Sequence, residues 1–295
     1  MNIRIGSAPD SWGVWFPSNP KQTPWKRFLD EVAEAGYEWI ELGPLGYLPT
    51  DPPMLQTELE RRGLKVSGSF VLAHFEDEHL WSEIEKQARG MGELLAAMGA
   101  EYLVLIDDCY SDLFTGNMLM PTTLTDAQWQ SFINTIHRLA DLAWSEYRLK
   151  TVFHPHAETH IEYEDQINRL LADTDPNLIS LCLDTGHHAY RGGDPVRYLL
   201  EHHERIACLH LKSVDPVMRA RVAEENIPFA LAVEQDMFVE PSIGAVDFLA
   251  FRNALETVNY TGFGIVEQDM FPAPFDKPLP IARRTRAYLR EIGLG

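Results

Sequence analysis

The chain of 295 residues has few cysteines and no long apolar run. Its three cysteines are Cys109, Cys182 and Cys208, and the last two lie in apolar stretches, where a thiol usually serves as a small hydrophobic group. This pattern argues against a disulfide framework and indicates a reducing compartment. No apolar run approaches the roughly 18 residues of a membrane span, and no secretory leader pattern opens the sequence. We therefore expect a cytoplasmic protein with no membrane partner.

Basic residues are scarce as well. Lysine and arginine number 25 against 44 aspartates and glutamates, which gives a formal net charge of −19. Such a charge repels phosphate backbones, so we expect no nucleic acid as a partner. Hydrophobic residues make up 45% of the chain and charged residues 23%, which allows a large core and predicts a folded globular protein.

The sequence also lacks the glycine-rich phosphate loop of dinucleotide-binding domains. The segment after the first predicted strand reads Gly6-Ser-Ala-Pro-Asp-Ser-Trp-Gly13, which is not that fingerprint. Short apolar runs alternate with amphipathic segments, as in repeated βα units. The predicted strands are Ile3–Ala8, Trp39–Leu42, Lys65–Phe70, Tyr102–Ile106, Thr151–His154, Ile179–Asp184, Ile206–Leu211 and Phe263–Glu267. Eight such strands favour a single α/β domain over residues 1–295, a closed (β/α)8 TIM barrel, over an open sheet.

Helix signals lie between these strands. A helix is predicted over 24–36, where a proline follows Thr23 and a glycine ends the segment, and another from Thr125 to Tyr147. Two connections, at about 109–121 and 212–243, are longer than a simple βα unit requires. Both follow strands, so in a barrel we expect them to be long loops over the active site.

Three apolar strands end in residues that bind divalent metals. Asp184, His210 and Glu267 each close such a run. Because the carboxyl ends of parallel strands meet at one end of a barrel, we expect these side chains to converge on a metal. A mixed carboxylate and imidazole set suits Mn²⁺, Co²⁺, Mg²⁺ or Zn²⁺, and we take Mn²⁺ or Co²⁺ as the first expectation.

The end of the fifth strand is rich in histidines. The segment Phe153-His-Pro-His-Ala-Glu-Thr-His-Ile-Glu162 places His154 and His156 on the same side of an extended chain. His154 is the fourth metal ligand suggested by position, and Glu158 and Glu162 are alternatives if the loop folds inward.

Other strand ends carry polar and aromatic residues that suit a polyol or sugar. A buried hydroxyl without a partner lowers affinity, so a sugar site needs many polar groups. The candidates for substrate contacts are Asp10, Trp12, Glu41, His74 and Asp108. Taken singly, each is also compatible with a solvated loop residue or a cap. The aromatic residues Trp12, Trp15 and Phe16 form either an apolar wall for a sugar ring or part of the core.

Two further residues follow the metal-binding strand ends. His187 lies three residues after Asp184, a position that suits a substrate hydroxyl better than the metal. Lys212 lies two residues after His210 and shares its strand face, so it either reaches the substrate or pairs with a carboxylate.

These motifs together resemble a known superfamily. The segments that carry the resemblance are Ile5-Gly-Ser-Ala-Pro-Asp-Ser-Trp12, His154-Pro-His156, Leu183-Asp-Thr-Gly-His187, His210-Leu-Lys212 and Val266-Glu-Gln-Asp269. The chain resembles the xylose-isomerase-like sugar isomerase/epimerase superfamily over nearly its whole length, and within it the inosose dehydratases. By position, Asp184, His210 and Glu267 match metal ligands of the superfamily, and His187 matches a histidine beside the metal. His154 departs from the glutamate that many members have there, and Ser213 replaces the aspartate of the usual His-Leu-Lys-Asp.

The resemblance implies a metal-dependent lyase that removes water from a keto-polyol such as 2-keto-myo-inositol. Proton abstraction beside the carbonyl gives an enediolate, and loss of a β-hydroxyl then gives dehydration. The candidate catalytic residues are His154, His156, Glu158, His187 and Lys212. A small sugar or cyclitol is the expected partner, with an unphosphorylated substrate slightly favoured, and a homodimer is plausible by analogy.

Three alternatives use the same fold. A keto-sugar isomerase or epimerase would reprotonate the enediolate. An abasic-site endonuclease is disfavoured by the net charge of −19. A sugar-binding barrel without catalysis is disfavoured by the three metal-binding strand ends, because buried carboxylates are destabilising without a cation.

Overall fold

The computed structural model describes all residues from Met1 to Gly295. Eight parallel strands form a closed barrel in the order β1-β10-β7-β6-β5-β4-β3-β2. They are β1 Asn2–Ser7, β2 Trp39–Glu41, β3 Lys65–Ala73, β4 Tyr102–Asp107, β5 Lys150–Phe153, β6 Ile179–Asp184, β7 Ile206–Leu211 and β10 Thr261–Val266. The prediction of a (β/α)8 barrel is confirmed.

Helices cover the outside of the barrel and extend the loops at its mouth. They are α1 Trp25–Glu34, α2 Pro52–Glu60, α3 Trp81–Ala97, α4 Asp126–Tyr147, α5 Glu164–Asp173, α6 Thr185–Tyr190, α7 Pro195–His202, α8 Pro216–Glu225, α9 Phe229–Glu234, α10 Phe248–Thr257 and α11 Pro278–Glu291. Short 3-10 helices lie at Pro9–Trp12, Glu78–Leu80 and His203–Arg205. None of the helices combines the length and the apolar character needed to cross a membrane.

The two long connections differ in structure. Residues 109–121 contain no helix or strand, only an isolated bridge between Ser111 and Met118. The segment 212–243 differs from the loop that the sequence predicts, because it contains α8, α9 and the antiparallel pair β8 Ser213–Val214 and β9 Phe238–Val239. Each of the two short helices in this segment buries apolar side chains on one side, such as Phe229 and Val233 in α9.

Side chains inside the barrel alternate with side chains that face the helices. The interior group includes Val152, Cys182, Cys208 and Ile265. Because successive side chains on a strand point to opposite faces, the residue two positions further on faces the same side. The residues in those positions are His154, Asp184, His210 and Glu267. Strand alternation therefore turns all four toward the axis at the carboxyl end of the barrel.

The cysteines agree with their expected role. Cys182 and Cys208 are opposite one another on β6 and β7, both buried in the barrel interior, and all three thiols are free. A second and larger apolar cluster fills the space between the strands and the helices. The interior layer thus forms the floor beneath the polar residues at the mouth.

Helix α4 begins with a capping box that provides a test of local stability. The Thr125 hydroxyl accepts a hydrogen bond from the Gln128 amide at 3.3 Å, and the Gln128 side chain accepts one from the Thr125 amide at 3.0 Å. Thr125→Ala should lower the free energy of unfolding by about 1 kcal/mol, because an amide at the helix start loses its partner. Urea unfolding measures the change. Thr123→Ala, at an exposed position just outside the helix, is the matched control; an equal loss in both variants would contradict the capping role.

Candidate active site and metal centre

A cavity of about 450 Å³ opens at the carboxyl end of the barrel. Its walls come mainly from the segments that follow several strands, including 8–16 after β1, 108–114 after β4 and 267–269 after β10. Phe229 of α9 also lines it. The cavity therefore lies where barrels of this kind carry their active sites.

Four side chains meet at this end of the barrel, and we call them the central cluster: His154, Asp184, His210 and Glu267. All of them except Asp184 line the cavity. Each offers one ligand atom, and these atoms all lie within 4.8 Å of one another. His210 Nδ1 is 3.0 Å from Glu267 Oε2, and His154 Nε2 is 3.4 Å from Asp184 Oδ2. The structure thus brings together the four residues that the sequence proposed as metal ligands.

Hydrogen bonds orient two members of the central cluster. Asp184 caps α6 and its Oδ1 accepts from the amides of Gly186 and His187 at 2.7 and 2.8 Å, which leaves Oδ2 free. His210 Nε2 lies 3.2 Å from Glu41 Oε1, which leaves Nδ1 free. Asp184 Oδ2 and His210 Nδ1 are buried and have no hydrogen-bond partner of acceptable geometry. Two buried ligand atoms without a well-formed hydrogen bond, held toward one point by neighbouring groups, fit a divalent cation.

The two carboxylates of the central cluster are ionised at neutral pH. Burial alone would raise the pKa of Asp184, but the Lys212 ammonium lowers it well below its ordinary value. Burial likewise opposes ionisation of Glu267, and His210 and Lys212 bring its pKa to about 2. Metal ligands must be deprotonated, so this electrostatic setting suits cation binding.

Lys212 lies among three carboxylates. Its Nζ is 3.1 Å from Asp184 Oδ2, 3.0 Å from Glu267 Oε2 and 3.1 Å from Asp269 Oδ1. Burial would lower the pKa of Lys212, but these carboxylates raise it well above its usual value, so the side chain is an ammonium. A Cβ at Gly186 would lie 2.4 Å from Lys212 Cγ, and this explains the glycine in the motif Asp184-Thr-Gly-His187.

Two histidines lie beside the central cluster, with the ring centroids of His156 and His187 3.8 Å apart. His156 Nδ1 is 2.7 Å from the Ala157 carbonyl oxygen and donates to it, so Nε2 is left as an acceptor. Burial and the nearby His154 lower the pKa of His156 to about 4. Burial and His156 also lower the pKa of His187 well below its ordinary value. Both rings are therefore neutral at pH 7.

The predicted substrate contacts divide into two groups. Asp10, Glu41 and Asp108 line the cavity, and Glu41 also supports His210. His74 is not among the lining residues; its Nε2 lies 3.7 Å from Asp108 Oδ2. Trp12 is fully buried, and its indole donates to Glu31 at 2.9 Å. The prediction of a cavity contact is thus corrected for Trp12, because its ring packs on Phe28 in the core.

Glu158 also lies elsewhere than the sequence suggested. It pairs with Arg191 at 2.7 Å and lines a separate cleft. Glu162 pairs with the same arginine at 2.6 Å and accepts from the Tyr110 hydroxyl. Neither carboxylate belongs to the central cluster, because Arg191 holds both outside it, and His154 is the residue of this segment that joins the cluster.

Sequence reasoning did not assign roles to Asp269 and Phe229. Asp269 follows Glu267 by two positions, and this spacing was the available signal for a second carboxylate on the same side. Phe229 packs near His156, with ring centroids 5.8 Å apart, but no local pattern connects α9 with the end of β5. Trp15 and Phe16 do line the cavity, and Trp15 stacks on Phe271 at 5.1 Å.

Comparison with known proteins agrees with this architecture. Residues 29–292 match the family model described as xylose isomerase-like TIM barrel. An inosose dehydratase of Geobacillus kaustophilus is 34% identical over 295 residues, which cover 98% of this chain and 94% of the relative. Another, of Geobacillus thermodenitrificans, is 31% identical and covers 98% of this chain and 97% of the relative.

A solved structure shares the fold at low sequence identity. The IOLI protein, determined with a binding zinc atom, superposes with a TM-score of 0.73 at 17% identity and covers 98% of each chain. This likeness concerns the fold alone. The match to the family model and the identity to full-length relatives, however, extend over almost the whole sequence. The chain therefore belongs to the xylose isomerase-like TIM-barrel family.

Proposed function

We propose that this protein is a divalent-metal-dependent lyase that removes water from a keto-polyol such as 2-keto-myo-inositol. The protein is an enzyme of the type found among its relatives, and the curated relatives named inosose dehydratase support the dehydratase activity. The observation that carries the proposal is the central cluster, with neutral His156 beside it and a cavity large enough for a six-carbon ring above it. A keto-sugar epimerase is the second candidate, because a 3-keto-D-glucoside 4-epimerase of E. coli shares the fold with a TM-score of 0.71.

His154, Asp184, His210 and Glu267 would hold the metal, for which Mn²⁺ or Co²⁺ is the first candidate. When bound, the cation would supply positive charge that stabilises the negative charge developing on the carbonyl oxygen of the substrate. Glu41 keeps the His210 ring in position, and the amides of α6 keep Asp184 in position. Each ligand is thus held before the substrate arrives.

His156 is our candidate for the base. Its neutral ring presents Nε2 while Nδ1 is held by the Ala157 carbonyl, so it can take the proton beside the substrate carbonyl. The same imidazolium can then give that proton to the β-hydroxyl, which leaves as water. Epimerisation would instead need an acid on the opposite face of the ring. The Lys212 ammonium, held by Asp269, adds positive charge close to the reacting oxygens.

The charge of the cavity favours an uncharged substrate. Its lining carries many carboxylates, namely Asp10, Glu41, Asp107, Asp108, Asp112, Glu267 and Asp269. The one ammonium in the lining, Lys212, is already engaged by carboxylates. A phosphate group would be repelled, whereas the hydroxyls of a cyclitol can donate to these oxygens.

The direct test is turnover of 2-keto-myo-inositol by metal-stripped protein resupplied with Mn²⁺ or Co²⁺. We expect metal-dependent formation of a conjugated dione, followed by ultraviolet absorbance. Glu267→Gln should lower turnover by at least about 100-fold and lower bound metal, because a ligand charge is lost. Glu234→Gln is a matched control, since Val233-Glu-Gln-Asp-Met-Phe238 repeats the sequence Val266-Glu-Gln-Asp-Met-Phe271 at an exposed site.

The outcomes separate the two candidate functions. Protein that holds metal but forms no dehydrated product, and that interconverts keto-sugars in a ketose panel, would replace the lyase with the epimerase. Metal-independent turnover, or full turnover in Glu267→Gln, would refute a role of the central cluster in catalysis.

A second variant tests the base. His156→Gln should lower kcat by about 100- to 10,000-fold, the range for loss of a general base, while bound metal stays unchanged. His203→Gln, at an exposed position, is the control and should keep full activity. Metal content by mass spectrometry and steady-state kinetics give both quantities. A His156→Gln protein with normal kcat and raised KM would assign this ring to substrate binding alone.

A further inference from the structure

A second group of candidate ligands lies outside the central cluster. His74, Glu76 and Asp107 place their ligand atoms within 4.8 Å of one another and share no residue with His154, Asp184, His210 or Glu267. His74 and Glu76 belong to the connection between β3 and α3, and Asp107 is the last residue of β4. The group therefore joins the ends of two neighbouring strands.

Strand alternation separates this group from the barrel interior. Val104 of β4 belongs to the interior cluster and Ile106 packs against it, so alternation places Asp107 on the opposite face of the strand. The central cluster lies on the interior face. His74 and Glu76 do not line the cavity above the central cluster, although Asp107, at the mouth of the barrel, also borders it.

Each of the three residues has a buried polar atom without a partner. These atoms are His74 Nδ1, Glu76 Oε2 and Asp107 Oδ1. The side chain of Glu76 is 5% exposed and that of Asp107 is 0% exposed, so solvent does not compensate them. Buried carboxylate oxygens without hydrogen bonds are costly, and two of them side by side also repel one another. A cation between them removes both penalties.

Neighbouring groups fix the direction of the free atoms. Asp107 Oδ2 accepts from the His160 amide at 3.0 Å and from His160 Nδ1 at 2.8 Å, which leaves Oδ1 for another ligand. His160 Nε2 donates to the Pro121 carbonyl at 3.1 Å. On the other side, Asp108 Oδ2 faces His74 Nε2, so that Nδ1 is directed toward the group. Metal ligands are commonly oriented in this way by outer partners.

We propose that His74, Glu76 and Asp107 form a second divalent-metal site, distinct from the central cluster, with a structural role. One imidazole and two carboxylates suit a transition cation such as Zn²⁺ or Mn²⁺, with water completing the coordination on the partly exposed side of His74. Through Asp107, His160 and the Pro121 carbonyl, the ion would connect β3 and β4 to the segment 109–121. That segment contributes Leu113 and Phe114 to the cavity wall.

The competing explanation needs no metal. The His74 ring would pair directly with Glu76, since Nδ1 lies 3.4 Å from Oε1. This pair leaves Glu76 Oε2 and Asp107 Oδ1 without partners. A bound cation would give both oxygens a partner, and for this reason we favour it. The two explanations predict different numbers of bound ions.

The test is the number of Zn²⁺ ions bound per chain after metal removal and dialysis against Zn²⁺, measured by mass spectrometry. We expect two ions in the wild type and one in either His74→Ala or Glu76→Gln. We also expect one in Glu267→Gln and none in the double variant Glu267→Gln/Glu76→Gln. The exposed neighbours give matched controls, because His79→Ala and Glu78→Gln should keep two ions.

The count does not depend on the proposed dehydratase activity, so the two proposals fail separately. A wild type with one ion that is lost in Glu267→Gln and kept in His74→Ala would overturn the second site. A count that stays the same in both His74→Ala and Glu76→Gln would overturn it as well. Glu76 is buried, so Glu76→Gln could fail to fold. In that case the ion count of His74→Ala, a change at a partly exposed residue, tests the second site by itself. Anomalous diffraction from a zinc-loaded crystal should show a peak between these three side chains.

Discussion

The repulsion among buried carboxylates at the mouth of the barrel is the constraint on which the site depends. Asp184, Glu267 and Asp269 all lie within about 3 Å of one ammonium group, that of Lys212. Burial of several like charges is unfavourable unless cations are close. Lys212 supplies one positive charge, and the donor atoms of the central cluster suit a second. The buried carboxylates therefore determine two properties of this end of the barrel: its stability depends on nearby positive charge, and the same negative charge favours binding of a cation.

This constraint also explains local features of the backbone. Lys212 reaches the carboxylates only because Gly186 has no side chain to block its aliphatic part. Asp184 can present Oδ2 because α6 starts immediately after it and its amides engage Oδ1. The motif Asp184-Thr-Gly-His187 thus combines a helix cap, a candidate metal ligand and the space for a lysine.

The barrel provides the register that these interactions require. Asp184 and His210 are opposite one another on neighbouring parallel strands, as are Cys182 and Cys208 below them. The apolar layer forms a dry floor, and the polar layer above it forms the base of the cavity. In such a low-dielectric setting the neutral histidines and the ammonium act more strongly than they would in water.

The sequence by itself determined the eight strands, their parallel arrangement and the strand-end residues that meet in the central cluster. The predicted bounds Ile179–Asp184 and Ile206–Leu211 are those of β6 and β7, because period-two alternation and the carboxyl ends of strands are local properties. Only the tertiary structure decided which loop residues face the cavity. Trp12 is in the core, Glu158 and Glu162 are held by Arg191, and Phe229 reaches His156 from an inserted helix. These placements depend on contacts between segments far apart in the chain, for which local sequence patterns carry no signal.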